Sequence, residues 1–291
     1  MLYRLPRILL GALVVALALA PRQASAVEVR VVPPSPRLGE VAVVYVTGAA
    51  RAREVEGILL GRPLHFFPHG DGYAALVGID LETKPGKAPW RVGITDAGGA
   101  SRQVSGSIAV GSRKFPVQRL TLPTPMVNLD PEAERRAADE AARLRALYET
   151  VTPERLWHGR FARPVGGDGP GEGFGSRRII NGHPRSPHSG VDFSAERGAP
   201  VLAANRGRVV LVAEFFFAGR LVVLDHGLGL YTLYFHLDRQ DVAEGVLVEQ
   251  GQPIGTVGAT GRATGPHLHW AAHLGLARVD PLTLLTLAVR D

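Results

Sequence analysis

Punctuation restricts this fold more than any other feature of the chain. From Val27 onward, strand-length runs rich in β-branched and aromatic residues are cut at short intervals by glycine, proline or aspartate, and a single stretch carries a convincing helical period. The 35 glycines and 22 prolines follow no Gly-x-y repeat, which excludes a collagen-like rod, and the shortage of helical periods excludes a bundle. With 45% hydrophobic residues among 291, the chain can bury a sizeable core in one or two domains, and the class expected is mainly β.

The N-terminus reads as a secretory leader. Arg4 and Arg7 precede an uncharged apolar run, Ile8 to Ala20, that is short for a bilayer span, and Ala24-Ser25-Ala26 offers small residues where a signal peptidase reads. Cleavage after Ala26 is expected, leaving a mature chain from Val27; membrane contact is expected only if residues 1–26 stay in place as an anchor. Losing Arg4, Arg7 and Arg22 takes the formal net charge from +6 to +3. The remaining basic residues are almost all arginine and are dispersed among acids, so nucleic acid is not an expected partner, whereas an anionic extracytoplasmic polymer suits a mildly basic surface. The lack of cysteine removes disulfides, iron–sulfur clusters, thiolate zinc sites, cysteine nucleophiles and a lipidated cysteine. Any metal must be held by His, Asp or Glu.

Three regions follow the leader. Residues 27–115 read as a β-sandwich-like accessory domain: Val27, Val29 and Val31 alternate with Glu28 and Arg30, Val41 to Val46 is β-branched, and turns fall at Pro33-Pro34, Gly70-Asp71-Gly72 and Gly98-Gly99. His65 and His69 lie here beside Asp71 and are read as turn residues. Residues 116–156 read as a linker with a helix. Pro116 to Pro125 is proline-punctuated, and Asp130-Pro131-Glu132 supplies an N-cap and a first-turn proline. Ala137, Ala141, Leu144 and Tyr148 form a narrow apolar stripe, with Glu132–Arg136 and Asp139–Arg143 at ion-pair spacing, so an inter-domain strut is expected. Residues 157–291 return to glycine-separated strands, the pattern of an antiparallel β domain. The glycines between Gly166 and Gly175 lack the Gly-Lys-Ser/Thr ending of a phosphate loop and are read as a flexible surface loop.

Three pieces of this last region carry chemistry: His188-Ser189-Gly190-Val191-Asp192, Leu233-Tyr234-Phe235-His236-Leu237 and Gly265-Pro266-His267-Leu268-His269-Trp270. On a strand, His267 and His269 face one side and Leu268 the other, so both imidazoles can converge on one ion or one water. Zinc without thiolates takes imidazole and carboxylate ligands, and a catalytic centre wants three protein ligands and an open position; His188, Asp192 and one of the two strand histidines supply such a set. Taken singly, each piece also reads as ordinary solvated or hydrogen-bonded polar residues.

Together and in this order, flanked by Phe174 to Arg178, Asn181-Gly182 and the run Gly251-Gln252-Pro253-Ile254-Gly255 through Gly258, Gly261 and Gly265, the pieces resemble the zinc metallopeptidases of the M23 family, the LytM or lysostaphin type, over roughly residues 157–285. The resemblance implies Zn2+ held by His188, Asp192 and His269, with His236 and His267 assisting catalysis on the peptide stems or cross-links of peptidoglycan. No His-Glu-x-x-His helix provides a glutamate base, so His267 is expected to orient or deprotonate the water and His236 to stabilise the oxyanion, or the reverse. A soluble periplasmic D,D-endopeptidase is the expected function. The alternatives are a non-catalytic wall-binding or amidase-activating module, and a peptidase of glycine-rich protein. Arg178 and Asn181 are expected near the cleft as loop residues that hydrogen-bond substrate or a metal ligand, while His226 and His273 are read as structural and His158 and His183, in loop-like text, are assigned no catalytic role.

Overall fold

The computed structural model describes residues 26–121, 127, 129–167, 169–287 and 289; the expected leader lies outside them up to Ala26. The strand Val41–Thr47, VAVVYVT, is apolar without alternation, the pattern of a strand covered on both faces. It lies in a sheet ordered Glu28–Val32, Val41–Thr47, Gly72–Gly78, Phe67–His69, which stacks on a second sheet ordered Arg62–Pro63, Ala52–Leu59, Gly86–Asp96, Ser101–Val110. Between the two sheets, Ala42, Val44, Val46 and Val77 pack with Leu59, Val92, Ile94 and Ile108. On the opposite face, Val41, Val43, Ala74 and Leu76 join the core of the following unit beside Trp157, Leu274 and Ala277. The accessory sandwich is therefore fused to its neighbour through one sheet of its own.

Charge pins the same junction. Arg278 Nη2 reaches Asp80 Oδ1 at 2.8 Å and Glu82 Oε2 at 2.5 Å, and Arg113 Nη2 reaches Asp280 Oδ2 at 2.9 Å. Burial alone would push the Asp80 carboxyl up, but its hydrogen bonds from Arg278 and the backbone, with the Arg278 charge, hold it below the usual carboxylate range.

The second unit is a nine-stranded sheet whose main path runs Gly190–Ser194, His267–Leu274, Leu230–Gln240, Gly219–Asp225, Gly207–Phe215, Leu247–Val248, every pair antiparallel. A mainly β chain, sandwich first and antiparallel sheet second, is thus what the structure contains. Among the described residues no helix is long and apolar enough to cross a membrane.

Two features depart from expectation. Within the stretch read as linker, Val117–Leu120 forms a strand parallel to Arg177–Ile180; the partner is so distant in sequence that the flanking prolines dominate the local text. The Pro131–Glu149 helix begins as expected, with Asp130 Oδ1 accepting from Glu132 N and Ala133 N at 3.0 and 2.8 Å. It is not a strut. Leu144, Leu147 and Tyr148 pack on Leu211, Phe215, Leu221 and Leu233 of the sheet, and Tyr148 stacks on His273 with ring centroids 3.9 Å apart. A narrow stripe suffices because it meets a flat sheet face and ends in one large ring. Its ion pairs also differ from the expected ones: Arg136 Nε meets Glu140 Oε1 at 2.7 Å, one turn further on, and Arg143 Nη2 leaves the helix to reach Glu244 Oε1 at 3.6 Å.

Candidate metal centre and active-site cleft

Cross-strand register assembles the cluster. Asp192 pairs with His269, and His269 pairs on its other side with Phe235, so one residue from each of three adjacent strands meets on one face. Period-two alternation then puts His267 on that face and sends Leu268, fully buried, into the core. His188 enters just before the Gly190–Ser194 strand. The resulting distances are 2.8 Å from His188 Nε2 to His269 Nδ1, 2.8 Å from His269 Nδ1 to Asp192 Oδ1, and 3.1 Å from His188 Nε2 to Asp192 Oδ1. His267 Nε2 lies 3.8 Å from the same carboxylate oxygen.

These three side chains suit a cation. Two imidazole nitrogens and a carboxylate oxygen, all within 4.8 Å of one another, crowd around one point, and a single shared proton cannot satisfy three electron-rich atoms. Burial would raise the Asp192 carboxyl, yet hydrogen bonds from His188 and His269 hold it well below the usual carboxylate range. His269 is pushed down to about 4, first by burial and then by the neighbouring His188, against the pull of Asp192. Near pH 7 the pair is carboxylate plus neutral imidazole, the protonation that a divalent metal requires of its ligands. A nitrogen–nitrogen–oxygen set without sulfur fits Zn2+.

His236 reaches this face by a different route. In a regular strand, a residue following Phe235, which stacks on His269 at 5.1 Å, would turn away. Instead His236 adopts φ +61, and the ladder slips where Leu237 and Arg239 follow, which re-aims the imidazole to 4.8 Å from the His267 ring and 6.0 Å from the His269 ring. Its backbone N–H donates to Ala218 O at 2.9 Å. Burial first, then the adjacent His269 and His267, push His236 down to about 3.

Two backbone carbonyls fix the rings. His236 Nδ1 donates to Thr260 O and His267 Nδ1 donates to Gly265 O, each at 2.8 Å. A carbonyl only accepts, so in each neutral ring the proton sits on Nδ1 and Nε2 keeps its lone pair. Neither carbonyl was identifiable from sequence, because a main-chain acceptor leaves no side-chain mark.

Close approach explains two glycines in and beside the motif. A Cβ on Gly190 would stand 2.5 Å from Trp270 O and 2.7 Å from His269 Nε2, and one on Gly173 would stand 2.6 Å from His188 Nδ1. The glycine-rich segment expected as a flexible surface loop is thus partly a wall behind His188 and Asp192, with Glu172 and Asp192 exchanging backbone hydrogen bonds at 3.2 and 2.9 Å. Gly190→Ala is expected to cost about 1–3 kcal/mol through overpacking and to weaken zinc retention. Thermal unfolding and metal analysis check this; wild-type values in both would show that the ring has room to move.

The cluster opens into a cleft of about 340 Å³ bounded by Ala137, Glu140, Ala141 and Leu144 of the helix on one side and by Gln118, Leu120 and Arg178 on another. Among the described residues, its lining begins at Gln118, so the sandwich leaves it clear. Arg178 lies on the Arg177–Ile180 strand rather than in a loop, and Asn181 sits at its end with φ +50. His226 serves the interior instead: Nδ1 donates to Arg206 O at 2.8 Å, and Nε2 accepts from Thr232 Oγ1 at 2.7 Å. His158 N–H donates to Asn205 Oδ1, and His183 lies on a two-residue strand at the edge of a three-stranded sheet.

Comparison with known proteins agrees with this geometry. The profile of Peptidase family M23 matches residues 186–281. A crystal structure from Pseudomonas aeruginosa assigned to peptidase M23 aligns with a TM-score of 0.65 at 34% identity, over 87% of this chain and 95% of that one. The chain belongs to peptidase family M23. Among curated M23-like relatives, the peptidoglycan DD-endopeptidase ShyB of Vibrio cholerae is 46% identical over 96 residues, 33% of this chain and 22% of that protein. The DD-carboxypeptidase/endopeptidase Mpg of Neisseria meningitidis is 39% identical over 111 residues, 38% of this chain and 26% of that protein. This M23 chain therefore spans about a quarter of the length of those relatives.

Proposed function

We propose that the chain is an exported zinc-dependent endopeptidase that hydrolyses the peptide cross-links of peptidoglycan in the periplasm, with D,D-endopeptidase specificity and with its leader removed after Ala26. The observation that carries this reading is the convergence of His188, Asp192 and His269 on one point, beside two histidines whose Nε2 atoms are left as acceptors. The named activities of ShyB and Mpg support the substrate class.

Zinc bound by His188, Asp192 and His269 would supply a Lewis acid and lower the pKa of a coordinated water towards about 7. The remaining work falls to the tethered histidines. Because both are acceptors at Nε2 when neutral, they match the two hydrogens of one attacking water molecule. His267, close to Asp192, takes the proton and later returns it to the leaving amine. His236 orients the same water through its Nε2 lone pair; neutral, and with its one N–H held by Thr260 O, it has no proton to give an oxyanion, which narrows the role expected for it from sequence. Phe235, stacked against His269, holds that ligand ring flat and limits water on its outer side.

Mass spectrometry of muropeptides tests the proposal. Zinc-loaded protein comprising residues 27–291 is expected to convert cross-linked dimers to monomers. Trimming of monomer stems, or cleavage of a glycine-rich peptide with dimers left intact, would refute the D,D-endopeptidase assignment. Stoichiometric zinc without any hydrolysis would point to the non-catalytic module instead.

A further inference from the structure

We propose that Arg178 and Arg262 form a carboxylate-binding subsite beside the metal-ligand cluster, selecting peptide stems that carry an acidic group next to the amide to be cut. The inference rests on the endopeptidase reading and adds to it the charge of the substrate. Both guanidiniums belong to residues that line the cleft shared by His188, Asp192, His267 and His269. They come from separate elements: Arg178 from the Arg177–Ile180 strand, and Arg262 from the turn two residues after Thr260, whose carbonyl tethers His236.

Arg178 Nε donates to the uncharged Gln118 Oε1 at 3.3 Å, and the Arg262 guanidinium lies 4.0 Å above the Phe217 ring. Among the described residues neither forms an ion pair with a carboxylate. The acids nearby are already engaged: Glu140 accepts from Arg136 Nε and from Phe216 N, each at 2.7 Å, and Asp192 is held by His188 and His269. Burial, and after it the charges of Arg178 and Arg185, loosen the hold of Arg262 on its proton; burial acts likewise on Arg178, opposed by Asp192.

Half-buried cations gathered in one cleft, neither ion-paired with a carboxylate among the described residues, are relieved by an anion that enters it. The planar guanidinium fork matches a carboxylate, with paired donors to both oxygens. A diaminopimelate cross-link presents that group in the right place, because the carbon bearing the scissile nitrogen also bears a carboxylate. A neutral glycine bridge presents none.

Three cross-linked dimers decide the matter: one with the diaminopimelate carboxylate, one with its carboxamide, and one joined through lysine, which has hydrogen at that carbon. For the zinc-loaded wild-type protein, kcat/KM is expected to fall about 10–100-fold from the first dimer to either neutral one. Arg178→Gln and Arg262→Gln should lose that preference, chiefly by a higher KM on the carboxylate dimer, with zinc content and thermal unfolding unchanged. Arg262→Lys, which keeps charge but not the fork, stands in should the glutamine variant fail to fold, and is expected to keep only part of the preference. Equal wild-type rates on all three dimers, or a loss in the variants that is the same for all three, overturn the subsite. If no dimer is cut at all, the endopeptidase reading has failed, and calorimetric titration of uncross-linked stems then judges the subsite alone. The carboxylate stem must bind the wild-type protein more tightly than its carboxamide, and equal affinities overturn the proposal.

Discussion

Alanine at His188, Asp192 or His269 is expected to strip zinc from the protein and reduce dimer hydrolysis to background. Each substitution leaves two protein ligands where a catalytic zinc site uses three, and affinity falls further because the survivors lose their mutual support. Asp192→Ala removes the only carboxylate within the cluster, so it also abolishes the charge that the two imidazoles face at 2.8 and 3.1 Å. Metal analysis after dialysis, together with the dimer-to-monomer assay, measures both effects. Stoichiometric zinc retained by all three variants would sink the ligand assignment.

His236→Ala and His267→Ala are expected to behave oppositely in metal analysis, keeping zinc while losing roughly 10²–10⁴-fold in kcat, the range for assistance by a positioned acid–base group. The distinction follows from how the rings are held. Their Nδ1 atoms are committed to the carbonyls of Thr260 and Gly265, whereas His188, Asp192 and His269 direct their polar atoms at one another. Loss of zinc from His236→Ala to the extent seen in His269→Ala would mean that the roles had been exchanged.

The residues that met in the cluster were legible where strand alternation governs them. His267 and His269 on one face, with Leu268 in the core, follow from a side-chain period of two. His236 was found only by resemblance, since a regular strand would turn it away from the site and no local signal marks its left-handed backbone. The sandwich was legible as strands, but its seat was not: an unbroken apolar run announces two covered faces without saying what covers the second. The helix was legible to its cap, yet its docking depends on a sheet assembled from residues far along the chain. Arg262 carries no local mark for a related reason, because one arginine among many gains meaning only when a second lines the same cleft.

The sheet holding Val41–Thr47 and Gly72–Gly78 has consequences for stability as well as for shape. It is a party wall: its two sides complete two cores, and neither core is closed without it. Along that wall a Cβ on Gly78 would come within 3.2 Å of Leu274, the far end of the strand that carries His267 and His269. Loosening the sandwich therefore uncovers apolar surface on the second unit, at about 25 cal/mol for each Å² exposed, and the two are expected to lose their structure together. Truncating Val43 or Leu76 is therefore expected to weaken the core of the second unit as well as the sheet that carries them.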